Sequence, residues 1–315
     1  MERGPHKGQF STEVAQLDEA LSLLDSALSH IKWRLKPSAR RRLHIDVLAL
    51  CTGMRPVVMV DYGGKMPELQ ERLCALLKLS QKKSSIFEHL RVMIIEGMIY
   101  LVHIRGLAEH VQSSLKSESQ LLFVDIEQDP PKMIMPEKNP LGMQFISVQK
   151  QFSVLFPLEG TKNDFLSCPR TNEMVDAKSP VNDLITSQAS DFIDLSSCLQ
   201  DTQVTVPTLN GWLLGYPVVY AFGKEHISDA IHNLSTKSLR IFKIFVSRNS
   251  LSTKGSQMEE LLSFSVPYSL SMGGSNEHWA KAYWTHMQMK LERCKQAWRS
   301  LQLDVNECDP QAIVL

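Results

Sequence analysis

The sequence lacks the features that mark secreted and membrane proteins. Its first ten residues, MERGPHKGQF, contain no apolar core of a signal peptide, and no run of about eighteen apolar residues occurs that could span a bilayer. The six cysteines are scattered without a C-x-x-C or Cys/His spacing, which indicates neither a disulfide framework nor a zinc site. We therefore expect a cytoplasmic or nuclear protein with free thiols, no metal site and no membrane contact.

Neither sign of charge is in excess, because 34 basic residues balance 34 acidic ones. A neutral chain has no overall field that would draw it to nucleic acid or to an anionic membrane, so its partners must be recognised by local features. The Gly-x-Ser-x-Gly pattern of hydrolases and the P-loop of nucleotide-binding proteins are also absent. The sequence therefore indicates no cofactor and gives no nucleic-acid signal.

Apolar periodicity predicts a long amphipathic helix near each end of the chain. The first pattern runs from Val14 to Leu35 at spacings of three and four residues, with Pro37 to stop it. The second runs from Trp279 to Leu301 at spacings close to one helical turn, with Ser275 or Asn276 as the cap.

Between these helices, short apolar segments predict strands. RPVVMVDYGG, SQLLFVDIEQDPP and LRIFKIFV are apolar on both faces, as buried strands are, and a helix is predicted between the first two, near residues 67–79. LLSFSVPYSL alternates apolar and polar residues, and its Pro267 cannot donate to a ladder, which favours an edge strand. RVMIIEGMIYLVHIRG fits either two strands or a strand that runs into a helix. We predict the α/β class: a mixed β-sheet with flanking helices, whose later strands pair antiparallel.

We expect a single α/β domain over residues 11–308. Within it, residues 158–201 have a thin hydrophobic pattern and are dominated by Ser, Thr, Asn, Asp and Pro. This composition predicts a flexible insertion.

The segment LNGWLLGYPVVYAF, Leu209 to Phe222, is rich in aromatic residues and glycine. Its Asn-Gly pair predicts a β-hairpin, since both residues tolerate the positive φ of a type I′ turn. Asn210, Trp212 and Tyr216 are candidate ligand-binding residues, because glycines let the backbone approach a ligand on which an aromatic ring stacks. We favour the alternative that these rings fill the core, since aromatic residues in strands are usually packed.

Four segments, VVMVDYGG, LLFVDIEQDPP, LNGWLLGYPVVYAF and SFSVPYSL, carry a resemblance to a known family. In this order and spacing the chain resembles an uncharacterised animal family, the one named for the product of human chromosome 1 open reading frame 74. The resemblance spans nearly the whole chain, from about Val14 to Leu315, and GYPVVY is its most specific segment. It implies no activity and no site residues.

Three acids that follow predicted strands are candidate catalytic residues. Asp61 and Asp125 would meet at one edge of a sheet if their strands were parallel neighbours, with Glu127 just beyond. Asp125-Ile-Glu127 resembles the Asp-x-Glu of metal-dependent exonucleases, in which carboxylates hold divalent cations. We favour the alternative that these acids accept backbone N–H bonds in loops at the strand ends.

No complete catalytic set can be assembled from these candidates. Our leading hypothesis is therefore a non-enzymatic intracellular protein that acts through contact with an unknown protein partner. The alternative is a metal-dependent phosphate-processing hydrolase that uses Asp61, Asp125 and Glu127. It requires the three carboxylates to converge around a cleft.

Overall fold

The computed structural model describes residues 7–116, 121–158, 192–249 and 257–313. Its helices are α1 (Lys7–His30), α2 (Pro37–Cys51), α3 (Glu68–Gln81), α4 (Ile104–Leu115), α5 (Pro140–Leu155), α6 (Val206–Leu213), α7 (Ile227–Ser235) and α8 (His278–Arg293). Its strands are β1 (Val57–Met59), β2 (Leu90–Ile95), β3 (Met98–His103), β4 (Leu122–Asp125), β5 (Lys132–Ile134), β6 (Phe192–Asp194), β7 (Val218–Ala221), β8 (Leu239–Arg248), β9 (Met258–Pro267) and β10 (Trp298–Cys308). The predicted α/β class is confirmed, and so are the long helices near both ends.

The described strands form three sheets where the sequence predicted one. The first has the order β1-β3-β2-β6 and the second β5-β4-β7, and each contains one parallel pair among antiparallel ones. The third, β10-β8-β9, is antiparallel throughout, as expected for the later strands. LRIFKIFV forms the central strand β8, and LLSFSVPYSL supplies the edge strand β9, which ends at Pro267.

Both faces of the first two sheets are covered. In β4, Phe123 packs in one core with residues of α4, α5 and α6, whereas Val124 packs in a second core with residues of α1, α2 and α3. In β7, Val219 packs in the same core as Phe123, and Val218 packs in the same core as Val124. Successive side chains of a strand point to opposite faces, so a strand between two cores must be apolar at every position. This is why these segments read as continuous apolar runs.

The hairpin predicted at Asn210-Gly211 is wrong, because this segment is helix α6. The helix begins after Thr205, whose hydroxyl accepts the N–H of Thr208 at 3.3 Å. Pro207 lies in the first turn, where its missing N–H is not needed. These helix-start signals outweigh the turn preference of Asn-Gly, since the side-chain cap satisfies a backbone donor at the helix end.

Helix α6 ends in a left-handed cap at Gly215, which has a φ of 74°. The N–H of Gly215 bonds to the carbonyl of Trp212 at 2.8 Å, and that of Tyr216 to the carbonyl of Gly211 at 3.0 Å. This pair of bonds is a Schellman motif. It turns the chain into β7 and leaves Tyr216 between the helix and the strand.

The helix predicted as far as Leu301 ends at Arg293, and the residues from Trp298 onward form β10. The predicted caps are also wrong, since Glu277 holds the N-cap position. Trp298 and Leu301 fit a helical spacing, but the residues after them alternate as a strand does. Pairing of β10 along the whole of β8 satisfies their backbone groups, which decides the conformation.

Most of the predicted insertion at residues 158–201 lies outside the described residues. Its last part contains β6, which pairs with β2, and a short 3-10 helix at Ser196–Leu199. The RVMIIEGMIYLVHIRG segment contains both elements that the sequence left open, because β2 and β3 form a hairpin and β3 runs into α4. In the ranges described, none of the helices is long and apolar enough to cross a membrane.

Candidate functional site

A cleft of about 620 Å³ lies between α4, the α6–β7 connection and α8. Aromatic side chains form much of its lining: Tyr216, Trp279 and Tyr283. Polar groups enter it as well, among them His110, His286 and Lys290. We call this space the aromatic cleft. Its size and its mixture of aromatic walls with a few polar groups are typical of small-molecule sites.

One face of α8 forms one side of the aromatic cleft. Trp279, Tyr283, His286 and Lys290 follow one another at spacings of four, three and four, which places them in a row on a helix. Trp279 anchors the start of this row, because its ring packs edge-to-face on Phe242 of the third sheet at 5.0 Å. The Tyr283 hydroxyl donates to the carbonyl of Gly215 at 3.1 Å, which ties the helix to the α6–β7 connection.

His110 of α4 lies on the opposite side of the cleft. Its ring stacks on Trp212 with centroids 5.5 Å apart, and its Nε2 lies 2.9 Å from the Trp212 carbonyl oxygen. A carbonyl oxygen only accepts, so Nε2 carries the hydrogen of the neutral ring. Burial lowers the pKa of His110 to about 4, and the nearby charge of Lys290 contributes. His110 is therefore neutral at pH 7.

Lys290 is a cation in the cleft wall with no described carboxylate within ion-pair distance. Its Nζ donates to the carbonyl oxygen of Met54 at 3.3 Å. Burial, together with the nearby guanidinium of Arg55, lowers the pKa of Lys290 to about 8. Arg55 is itself 4% exposed and donates to the backbone carbonyls of Leu214 and Leu261. Lys290 thus lines the cleft with a second cation, the buried Arg55, close behind it.

His286 lies one turn before Lys290, on the same face of α8 and nearer to solvent. Partial burial of its ring lowers its pKa, and the charges of Lys290 and Arg293 act in the same direction. A neutral imidazole therefore lies beside the lysine at pH 7.

The three ligand-binding candidates from the sequence have different surroundings. Tyr216 is half-buried and lines the aromatic cleft. Trp212 borders the same cleft but is completely buried, packed edge-to-face against Phe145 and Phe152, so it backs the wall. Asn210 does not line the cleft, since its Oδ1 accepts the hydroxyl of Tyr100 at 2.7 Å in the core behind it.

The three acidic candidates do not follow parallel neighbouring strands. Asp61 follows β1 of the first sheet, is exposed, and lines a separate cavity of about 280 Å³ with Arg42 and Arg55. Asp125 ends β4 of the second sheet, where its carboxylate accepts the N–H of Glu127 at 2.9 Å. Glu127 in turn accepts the N–H of Gly223 at 2.7 Å. Asp125 and Glu127 thus accept backbone bonds at the ends of β4 and β7.

A metal site at these acids finds no further support in the described parts of the chain. Within them, no group of three His, Cys, Asp or Glu side chains has an arrangement that could hold a metal ion. The arrangement needed for two-metal phosphate chemistry is a tight cluster of such ligands.

Sequence reasoning missed the polar side of the aromatic cleft, namely His286 and Lys290. A signal was present, because both continue the row that Trp279 and Tyr283 begin on α8. Polar residues on an otherwise apolar helix face are worth noting, since burying them requires partners. The apolar periodicity of the sequence does not show that His286 and Lys290 face α4.

Comparison with known proteins gives a family and nothing more. Residues 25–315 match the model of a family described as a domain of unknown function (DUF4504), so the chain belongs to that family. No curated protein and no solved structure matches the chain. The coarser part of the resemblance seen in the sequence, an uncharacterised family that covers nearly the whole chain, is thereby confirmed.

Proposed function

We propose that this member of the family binds a small organic anion with a flat apolar body in the aromatic cleft. The observation that carries the proposal is Lys290, a cation without a described carboxylate partner in the wall of an aromatic cavity. A small-molecule site normally combines such apolar walls with a few oriented polar groups.

The charge of the cleft favours an anion. Its described lining contains Lys290 and Lys116 but no aspartate or glutamate, and His110 is neutral at pH 7. A pKa of about 8 leaves roughly nine tenths of Lys290 protonated at pH 7. A bound carboxylate would supply the missing counter-charge, and such a charge-assisted bond is stronger where water is partly excluded.

The shape of the cleft favours a flat, apolar body for the ligand. Tyr216 and Tyr283 are half-buried, so part of each side chain is open to the cleft, and Trp279 lines it as well. Aromatic rings of protein and ligand gain from offset or edge-to-face contact in addition to the apolar area buried. A fused aromatic carboxylate satisfies both requirements.

The test uses 2-naphthoate, with its neutral isostere 2-naphthamide as control. We expect 2-naphthoate to quench tryptophan fluorescence through Trp279 and to raise the midpoint of thermal unfolding. Saturation at a hundred times the dissociation constant corresponds to about 2.7 kcal/mol of added stability. The amide should bind at least about ten times more weakly, because it lacks the charge.

Two lysine variants make the assignment specific. Lys290→Met keeps the length of the side chain and removes its charge, so it should abolish the preference for naphthoate over naphthamide. Lys281→Met removes an exposed charge from the same helix outside the cleft, and it should leave the preference unchanged. Equal binding of both compounds to the wild type, or binding of neither, would contradict the proposal.

The protein-contact hypothesis from the sequence stays a prediction, and a separate surface supports it. Met133 and Met135, in and directly after the edge strand β5, are 49% and 61% exposed, and Met143 of α5 is 52% exposed. Exposed methionines suit adaptable contact surfaces, and an edge strand offers unpaired backbone groups.

We propose a second copy of the chain as the partner to test. Sedimentation should then detect dimers that are lost when all three methionines are changed to Gln, and a monomer at every concentration would contradict it.

The hydrolase alternative has less support. Asp61 follows a strand in a different sheet from Asp125, and the carboxylates of Asp125 and Glu127 already accept backbone N–H bonds. Acids that satisfy loop backbone groups in this way have a sufficient structural role.

A further inference from the structure

The amine of Lys290 has surroundings that differ from those of an ordinary surface lysine. Its Nζ has a single backbone acceptor, the Met54 carbonyl oxygen, among the described residues, and its side chain borders the aromatic cleft. Resting on the proposed function of this cleft, we infer that Lys290 is a carbonyl-reactive amine. It forms a reversible imine with an aldehyde or ketone at the end of the aromatic anion opposite to the carboxylate, which then faces Lys116, the second cation of the lining.

The electrostatic surroundings keep a useful fraction of this amine in its reactive form. Burial and the guanidinium of Arg55 disfavour the ammonium ion, which is consistent with the pKa of about 8. Roughly a tenth of the amine is then neutral at pH 7, compared with fewer than about one in a thousand for an unperturbed lysine. An apolar site next to another cation is a known way to activate a lysine nucleophile.

The absence of a described carboxylate partner favours a chemical role over a purely structural one. A partly buried lysine with a structural role is normally paired, because a charge withdrawn from water without a partner is costly. A carboxylate of the protein held permanently at Nζ would also stabilise the ammonium form and suppress nucleophilic attack. The Met54 carbonyl orients Nζ through one hydrogen bond without supplying a negative charge.

The reaction needs no oxidant, reductant or bound metal. The neutral Nζ attacks the carbonyl carbon, so a C–N bond forms while the C=O π electrons move to oxygen, which takes up a proton. The nitrogen of this carbinolamine loses its remaining two protons, and the hydroxyl group takes up one and leaves as water. The second proton replaces the one that the carbonyl oxygen took up from solvent, so formation of the imine from the neutral amine releases one water and no net proton.

His286 is placed to carry these protons as a positioning and proton-transfer residue. It lies four residues before Lys290 on the same face of α8, and it lines the same cleft. Its neutral ring can accept a proton from the carbinolamine nitrogen and return it to the departing hydroxyl group. His110 lines the same cleft, but its Nε2–H already donates a hydrogen bond to the Trp212 carbonyl oxygen, so it is less suited to this role.

The experiment uses two matched probes, 6-formyl-2-naphthoate and 6-(hydroxymethyl)-2-naphthoate. The alcohol has the size and charge of the aldehyde but cannot form an imine. With cyanoborohydride present, which reduces an imine to a stable amine by supplying hydride, peptide mapping by mass spectrometry should find the aldehyde on Lys290. Labelling at Lys290 should exceed that at the exposed Lys281 by about two orders of magnitude at pH 7, because an amine with a pKa of about 8 has that much more of its neutral form than an ordinary lysine side chain.

Variants and pH separate imine chemistry from simple binding. Lys290→Arg keeps a positive charge but cannot form an imine, so it should give no adduct at this position and should bind the aldehyde no more tightly than the alcohol. Lys281→Arg should behave like the wild type. The labelling rate at Lys290 should reach half its maximum near pH 8, and His286→Gln should slow labelling by a larger factor than it weakens binding of the alcohol.

The outcomes distinguish this inference from the proposed function. If the alcohol binds and the aldehyde gives no adduct at Lys290, the carbonyl chemistry is refuted while anion binding stands. If neither probe binds, both proposals fail together. Equal labelling of Lys290 and Lys281 in the folded wild-type protein would also overturn the inference, and this measurement does not depend on any variant folding.

Discussion

Gly211 of α6 lies so close to Val218 of β7 that a Cβ atom at Gly211 would be 2.8 Å from the Val218 carbonyl oxygen. The next nearest atom, Cα of Val219, would be 3.0 Å away. Both are backbone atoms of β7, which is held by its pairing with β4 and cannot easily move. The absence of a side chain at Gly211 therefore sets the distance between the helix and the strand that meet at Tyr216.

We predict that Gly211→Ala destabilises the protein by about 1–3 kcal/mol, the usual range for overpacking. A loss of stability would be informative, because helix propensity alone predicts the opposite: Ala is more favourable than Gly in a helix interior by about 1 kcal/mol. Gly106→Ala is the matched control, because the nearest atom to its new Cβ would be 3.5 Å away, an ordinary contact. Urea unfolding of both variants tests this, and a Gly211→Ala protein as stable as the control would contradict the packing argument.

A second prediction concerns pH and His110. Its pKa is lowered to about 4 in the folded protein, compared with about 6.5 when unfolded. Between these values the unfolded chain binds more protons, so the stabilising effect is complete above about pH 6.5 and is lost as the pH falls toward 4. The shift corresponds to a loss on the order of 3 kcal/mol.

Thermal unfolding between pH 4 and pH 7.5 measures this effect. His110→Gln should flatten the slope, whereas His278→Gln, an exposed change on α8 outside the cleft, should keep that of the wild type. Parallel curves for all three proteins would mean that His110 is not neutral in the folded state.

The third prediction tests the structural role of Asp125. Asp125→Ala leaves the N–H of Glu127 without its acceptor and should destabilise the protein by about 1–3 kcal/mol. Asp125→Asn keeps an acceptor oxygen and should have a smaller effect. Unfolding is measured with and without 5 mM Mg²⁺, a concentration on the order of that needed to saturate a weak site. Stabilisation of the wild type by Mg²⁺ that both variants lose would instead revive the metal-dependent alternative.

The fourth prediction concerns Trp212 behind the cleft wall. Its completely buried ring contacts His110, Phe145 and Phe152, so Trp212→Leu should create a cavity and lower the free energy of unfolding by about 2–4 kcal/mol. Trp212→Phe should lose less, because it keeps an aromatic ring.

The same pair of variants tests which tryptophan reports on the ligand. Quenching by 2-naphthoate should persist in Trp212→Phe, since Trp279 lines the cleft directly. Loss of quenching in a protein that remains folded would place the ligand against Trp212 instead.

Much of the fold could be predicted from local patterns. Continuous apolar runs predicted β1, β4 and β8, alternation predicted β9, and periodicity predicted α1, α3 and the start of α8. The errors lie where two local signals compete. At Asn210-Gly211 a turn signal competed with the cap at Thr205 and the left-handed glycine at Gly215, and the pair of helix-end signals prevailed.

The site was less predictable for a different reason. Tyr216 and Trp212 could be named as candidates from composition, and both border the cleft. Lys290 could not, because its importance depends on α8 facing α4 and on Arg55 lying behind it. Contacts between elements so distant in the chain leave no periodic signal in the sequence.

The aromatic cleft takes its two sides from α4 and α8, which are separated by most of the second half of the chain. During translation, α4 and the strand before it leave the ribosome long before Lys290 has been synthesised. Any ligand that this cleft binds can therefore bind only after α8 has been synthesised. A chain interrupted before that point would leave the cleft residues His110 and Trp212 without the helix that covers them, exposed to the chaperones that recognise unfinished proteins.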